Sequence, residues 1–356
     1  MFIKRIRNLI YCISRSWSLN RYDKMTAECE FKKDLYDYLD SKDIRNDYRC
    51  DLLQKLRDTN ATQIDDILYN KLSDIDKDIL VRFFLKRFLN VETVLPQEEK
   101  NIDAGFETAK SIIDNAEDNK ITCFVFRGRK IIFEMPFEKW NQGNDLEKRL
   151  MSYYPVAHTF ELIEYEKEGF NPQNGQIILD CGAAYGDTAL FFASLYPDSD
   201  IYSFEFGDEQ YSYLQKNVAT NKISVTTVKA FLYDKVGDYY LDNNYHILEN
   251  ATEAKEHQLS FVRTMSIDDY VRENNLTNIG LIKFDIEGGE LNALHGAVNT
   301  IKTQRPILHI PIYHLNRDIY DIPMFINSLG LRTEISVKWT EKMVWGMDCV
   351  LFVKFV

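Results

Sequence analysis

The chain has 356 residues, 45% of them hydrophobic and 28% charged, enough for two or three domains around a sizeable core. Its net charge of −12 argues against a protein whose work is binding a nucleic-acid backbone, so no nucleic-acid partner is expected. Six cysteines without a CxxC pair speak against a zinc framework and a disulfide scaffold, and make a reducing, cytoplasmic setting the default.

Residues 1–13 are basic and partly apolar, too interrupted for a signal sequence or a transmembrane helix. A surface-lying amphipathic helix that touches a membrane is the alternative to a docked terminus. Residues 29–90 read as helical. Ser73 is placed to cap a helix with Asp74 and Asp76 in its first turn. Ile75, Ile79, Leu80, Phe83, Phe84 and Leu89 then recur on one face, with Lys77, Asp78, Arg82 and Lys86 on the solvated one. Residues 122–126 and 131–135 flank Arg127-Gly128-Arg129 and predict a β-hairpin. Its arginines are read as solvated, an anion site being the alternative. A composition shift near residues 140–145 separates a mainly helical N-terminal region, 1–150, from a second domain, 151–356.

In the second domain, residues 160–166 suggest a short acidic-aromatic helix. The run Ile177-Ile178-Leu179-Asp180 followed by Cys181-Gly182-Ala183-Ala184-Tyr185-Gly186-Asp187-Thr188 reads as a buried strand, a tight turn and a helix start. Such a junction turns backbone N–H groups toward a ligand, although a turn without a ligand has the same form. Strands at 201–205, 225–232, 280–285 and 307–313 alternate with helices at 208–221, 267–274, 290–303 and 318–329. Residues 234–258 form a polar, turn-rich hairpin or excursion, and strands near 331–337 and 348–355 close the chain. This is the pattern of an α/β, doubly wound sheet, whose ligands lie beyond the carboxyl ends of its strands.

Asp180, Glu205 and Asp285 fall at three such ends. Glu205 stands about 20 residues past the glycine turn, where an acid accepts hydrogen bonds from ribose hydroxyls. A dinucleotide pyrophosphate requires G-x-G-x-x-G. Counted from Gly182, the third and sixth positions are Ala184 and Asp187, and an acid there repels phosphate. S-adenosylmethionine (SAM) carries no phosphate, and Asp180 is available to approach its ammonium group. SAM is therefore expected over NAD(P).

At these residues the chain resembles the FkbM-type methyltransferases. The resemblance rests on residues 180–188, Phe204-Glu205-Phe206, Ser266-Ile267-Asp268-Asp269, residues 283–290, Leu294-His295-Gly296-Ala297 and Arg305-Pro306. It covers about residues 160–356 and implies a Rossmann-like class I methyltransferase sheet with a C-terminal antiparallel strand. The implied activity is SAM-dependent O-methylation of a sugar, polysaccharide or natural-product hydroxyl. The competing functions are a catalytically silent SAM-binding scaffold and an NAD(P)-binding oxidoreductase.

The expected cofactor residues are Asp180, Gly182, Ala183, Tyr185, Gly186, Asp187, Thr188, Glu205, Phe206, Phe231, Leu232 and Asp285. Ala230 leaves room for an adenine ring, and Asp234 is either a partner of its amino group or a turn residue. Asp285 borders cofactor and acceptor, with His314 as first candidate base and His309 as second. Pro311, in a central strand, predicts a bulge there. Lys283 is expected to pair with a neighbouring carboxylate. Asp285, Glu287 and Glu290 also compose a carboxylate set for a divalent cation. The preferred alternative has Glu287 touching cofactor or acceptor and Glu290 opening a helix, so no metal is assigned. The acceptor and the oligomeric state are left open.

Overall fold

A computed structural model describes residues 30–41, 55–56, 58–89, 96–115, 121–136, 152–241, 247–248, 260–340 and 348–356. The basic N-terminal stretch, the boundary at 140–145 and, within the stretch 234–258, residues 242–246 and 249–258 lie outside them.

The N-terminal region supplies α1 (Glu30–Ser41), α2 (Asp74–Leu89), α3 (Pro96–Asp114) and the hairpin of β1 (Ile121–Phe126) with β2 (Arg129–Glu134). Ser73 caps α2 as predicted, accepting the Asp76 N–H at 3.2 Å. Two assignments on α2 reverse. Ile75 is 74% exposed, whereas Arg82 is buried, paired with Asp78 at 2.9 Å and set over the Trp339 ring. The helix lies so deep that its polar side also meets protein. Asp76 turns inward, accepting from the Ser336 hydroxyl at 2.9 Å and pairing with Lys167 at 3.3 Å.

After a helix at 152–161, whose last turn is of π type, come β3 (Ile177–Cys181), α4 (Asp187–Leu195), β4 (Ile201–Glu205) and α5 (Asp208–Asn221). The helix expected at 160–166 thus lies earlier, and Ile163 has already left helical space at φ 54°. Next follow β5 (Val225–Lys229), β6 (Phe231–Leu232), β7 (Gly237–Leu241), β8 (Ile247–Leu248), β9 (Ser260–Met265), α6 (Ile267–Glu273) and β10 (Ile279–Phe284). The chain ends with α7 (Glu290–His295), α8 (Val298–Gln304), β11 (Ile307–Pro311), α9 (Asp318–Ser328), β12 (Thr333–Trp339) and β13 (Cys349–Phe355).

Seven strands form one sheet in the order β12-β13-β11-β10-β3-β4-β5, with β13 antiparallel to both neighbours. The strand predicted at 225–232 divides: β5 stays in this sheet, while β6 leaves to pair with β9 in a second sheet, β6-β9-β7-β8. The helix predicted at 290–303 also divides. A Cβ on Gly296 would collide with the Tyr233 carbonyl, and Asp268 caps the second half by accepting from Asn299 and Thr300 N–H at 2.9 and 2.7 Å. No bulge forms at Pro311, whose pairing with Val350 continues the β11–β13 register. The Ile312 N–H reaches Cys349 at 3.0 Å, so the Pro311 nitrogen faces β10, whose ladder has already ended at His309. There is no bond there for proline to lose.

The sheet carries a core on each face. Phe31, Leu80, Phe83 and Phe84 of the N-terminal helices pack with Leu179, Ile282, Phe284 and Leu308 on one. Phe124, Phe133 and Phe160 pack with Ile178, Leu281, Phe191 and Phe352 on the other. The free edge of β2 is matched by side chains rather than by a strand. Asn217 and Asn221 of α5 accept the Glu134 and Ile132 N–H groups and donate back to their carbonyls at 2.6–2.9 Å. Arg129 is a structural residue, donating to the Ala193 carbonyl near the end of α4 at 3.1 Å. Arg127 pairs with Glu166 at 2.8 Å.

Candidate active site

Strand order reverses between β3 and β10, where a doubly wound sheet opens its ligand crevice. Gly182, at φ 84°, leaves β3 there, and its N–H and that of Ala183 both reach the Phe204 carbonyl at 2.9 Å. Gly186, at φ 92°, caps α4. Ala183 is fully buried and Tyr185 nearly so. Asp187 and Thr188 in the first turn look inward, accepting from Thr159 and donating to Asp180. They set the turn and present no side chain to the crevice. Burial pushes the Asp187 carboxyl up to about 6.

Asp180 does not reach the crevice. Register aligns it with Lys283 on β10 and Ser203 on β4, so the three share one face of the sheet. Asp180 is fully buried, accepting from Thr188 at 2.9 Å and Ser203 at 3.1 Å, with the Lys283 ammonium 3.3 Å away. Lys283, also fully buried, donates to the Gly182 carbonyl at 2.6 Å and stands 3.7 Å from Asp285. Burial alone would lower its pKa; the charges of Asp180, Asp285 and Asp187 outweigh that and raise it. His309 is the next residue along this row. It is fully buried, with Nε2 2.7 Å from the Phe170 carbonyl, and burial lowers its pKa to about 4. His309 is thus a neutral core residue, held outside the crevice.

Glu205 is half-buried at the end of β4. Its two oxygens accept the Gly207 N–H at 2.6 Å and the Ala184 N–H at 2.9 Å, which orients it. Burial raises its pKa against those two bonds. Phe206 and Phe231 meet edge to face at 5.0 Å beside it, while Leu232 belongs to the core. Asp234 Oδ1 is buried without a hydrogen-bond partner.

Beyond β10, Asp285 is half-buried. Its Oδ2 accepts from the Tyr165 hydroxyl at 2.8 Å, and its Oδ1 lies 3.5 Å from His314 Nε2. His314 Nε2 is 3.6 Å from Glu287 Oε2, and Nδ1 is 2.9 Å from Glu290 Oε1. Glu290 opens α7 as expected, accepting the Ile286 N–H at 2.8 Å, but it is buried against His314. Burial would lower the His314 pKa; Glu290, Asp285 and Glu287 reverse that and hold it at about 10. A histidine already protonated at neutral pH takes no further proton, so His314 as held is a cation rather than a base. Sequence reasoning missed Tyr165, which carries no motif, and the buried partnership of Glu290 with His314.

Behind this edge lies a buried set: Tyr154 donates to Asp348, which also pairs with His158 at 3.0 Å, beside Glu164. Burial, and then the charge of Asp348, pushes Glu164 up to about 8 from 4.5. Between those values the unfolded chain binds fewer protons than the fold, so stability falls as pH rises through that window. His309 acts oppositely, but only below 6.5, and His314 adds to the decline above it. The melting temperature is therefore expected to drop from pH 6.5 to 8. Glu164→Gln should flatten that slope; an unchanged slope would remove Glu164 as a cause.

Parallel strands reversing at β3, with an antiparallel β13 inserted before the last strand, define a Rossmann-like methyltransferase sheet. Residues 180–333 match the family model described as the methyltransferase FkbM domain. Among solved structures the chain is similar to an FkbM methyltransferase from Methylobacillus flagellatus KT, at 17% identity and a TM-score of 0.42, covering 71% of this chain and 59% of that one. It thus spans less than two thirds of that relative. It is also similar to Aeropyrum pernix fibrillarin with natively bound S-adenosyl-L-methionine (13% identity, TM-score 0.39, 69% and 86% covered). A third is M. jannaschii TYW2 in complex with AdoMet (14% identity, TM-score 0.35, 66% and 85% covered). No curated protein matches the chain. Among the described residues, no helix is long and apolar enough to cross a membrane.

Proposed function

We propose that the chain is a SAM-dependent O-methyltransferase acting on a hydroxyl of a sugar, polysaccharide or natural product. The observation that carries this reading is Glu205, fixed by two N–H groups beside the Gly182 turn at the switch point of the sheet. The residues present fit the cofactor. Glu205 would accept from the ribose hydroxyls, Phe206 and Phe231 would cover the adenine, and the unpartnered Asp234 Oδ1 would accept from its amino group. Bound SAM supplies an electrophilic methyl group on a sulfonium.

The chain's own part is to align the acceptor and manage its proton. An alcohol is a weak nucleophile until that proton is shared. With His314 positively charged, the proton acceptor on this edge is a carboxylate of Asp285 or Glu287, and Tyr165 and Lys283 hold Asp285 in place. Calorimetric titration with SAM tests the reading. The parent should bind, and Glu205→Ala should bind at least about tenfold more weakly, as loss of a charged hydrogen-bond acceptor implies. A parent with no affinity for SAM or its demethylated product would end it. Transfer of labelled methyl from SAM to glycan fractions would then identify the acceptor.

A further inference from the structure

We propose that Asp285, Glu287 and His314 bind a divalent cation, with Glu290 holding the histidine in its ligating tautomer. Asp285 Oδ1 and Glu287 Oε2 lie 3.5 and 3.6 Å from His314 Nε2, and one ligand atom from each residue falls within 4.8 Å of the others. Bonds of about 2.1 Å to one ion place ligand atoms about 3.4 Å apart in a tetrahedral site and about 4.2 Å apart across an octahedral one. The three atoms therefore need only side-chain adjustment to close on an ion.

A cluster of acids alone would not carry this. The histidine does. Its side chain is only 9% exposed, and Nε2 makes no hydrogen bond, since both carboxylates stand beyond the usual limit of about 3.2 Å. The atom is aimed between two acids at ion-pair distance from both, and a bound ion would take the place of its proton. On the other side of the ring, Nδ1 meets Glu290 Oε1 at 2.9 Å, and Glu290 is 1% exposed. A carboxylate on the far ring nitrogen is the arrangement that fixes a ligating imidazole and raises its basicity. Asp285 is prepared likewise: Tyr165 occupies Oδ2 and leaves Oδ1 facing the histidine.

One imidazole nitrogen and two carboxylates suit Mn²⁺, Zn²⁺ and related ions better than Mg²⁺ or Ca²⁺, which favour all-oxygen sites. Glu287 is 90% exposed, so the remaining coordination positions open to solvent. If the methyl-transfer reading holds, an acceptor hydroxyl bound there would lose its proton more readily. That consequence rests on the reading above; the binding site does not.

The experiment is Mn²⁺ titration of the chelator-treated full chain, followed by electron paramagnetic resonance without SAM. One tight site is expected, weakened at least tenfold by Glu287→Gln, a surface change that leaves the fold in place, and by Asp285→Asn. Zn²⁺ should displace Mn²⁺ at equal concentration. Absence of a stoichiometric site, or unchanged affinity in Glu287→Gln, would overturn the proposal. Equal displacement by Mg²⁺ would overturn the imidazole ligand. SAM titration of the same samples separates failure of this site from failure of the methyltransferase reading.

Discussion

Replacing Lys283 with Met should destabilise the protein by about 3–5 kcal/mol, the usual cost of removing one partner from a buried ion pair. Lys283 and Asp180 are both fully buried 3.3 Å apart, and Asp285 is a further 3.7 Å neighbour. Methionine keeps most of the volume, so the loss reports charge rather than packing. Asp180 would retain its Thr188 and Ser203 hydroxyls, but no cation would offset its charge. Urea unfolding measures the loss, and the double variant Lys283→Met/Asp180→Asn should recover part of it, because neither charge is then stranded. A single-variant loss below about 1 kcal/mol would mean that water or proton uptake already compensates the pair.

That pairing also shows how far the sequence could be read. Apolar runs ending in an acid marked β3, β4 and β10. Position at a strand end does not say which face a side chain takes. Asp180 and Asp285 look equivalent in sequence. Register sets Asp180 between Lys283 and Ser203 inside the sheet, while Asp285 lies past the end of β10 and reaches the crevice. The same limit applies to His314. Its strand-end position was legible, but its charge depends on Glu290, 24 residues away in the chain and 2.9 Å away in space. Pro311 shows the converse: the proline was visible, but not that β10 had ended beside it. Arg82 and Ile75 exchanged expected environments because helical periodicity gives one apolar face, and α2 is covered on more than one side.

Gly182→Ala should cost more than its backbone angle explains, and the excess should appear at Asp285. An L-residue held in the left-handed region costs about 1–2 kcal/mol. Gly169 provides the reference: its φ is 83°, close to the 84° of Gly182, and nothing lies within 4 Å of an added Cβ. Gly169→Ala should therefore lose only that amount. At Gly182 the Cβ would fall on the carbonyl oxygen of Asp285, inside van der Waals contact, and the obstacle is backbone rather than a side chain that can swing away. The Asp285 N–H is tied to the Cys181 carbonyl at 2.9 Å, so the end of β10 and the turn after β3 can separate only by breaking that bond. A loss of roughly 3 kcal/mol or more is expected by denaturant unfolding, the size reached when a strained angle is joined by a clash. Because Asp285 must move, Mn²⁺ and SAM affinities should both fall in Gly182→Ala and hold in Gly169→Ala. Equal stability losses in the two variants would show that the crevice yields without strain, and the close approach of the two strand ends would then not be what positions Asp285.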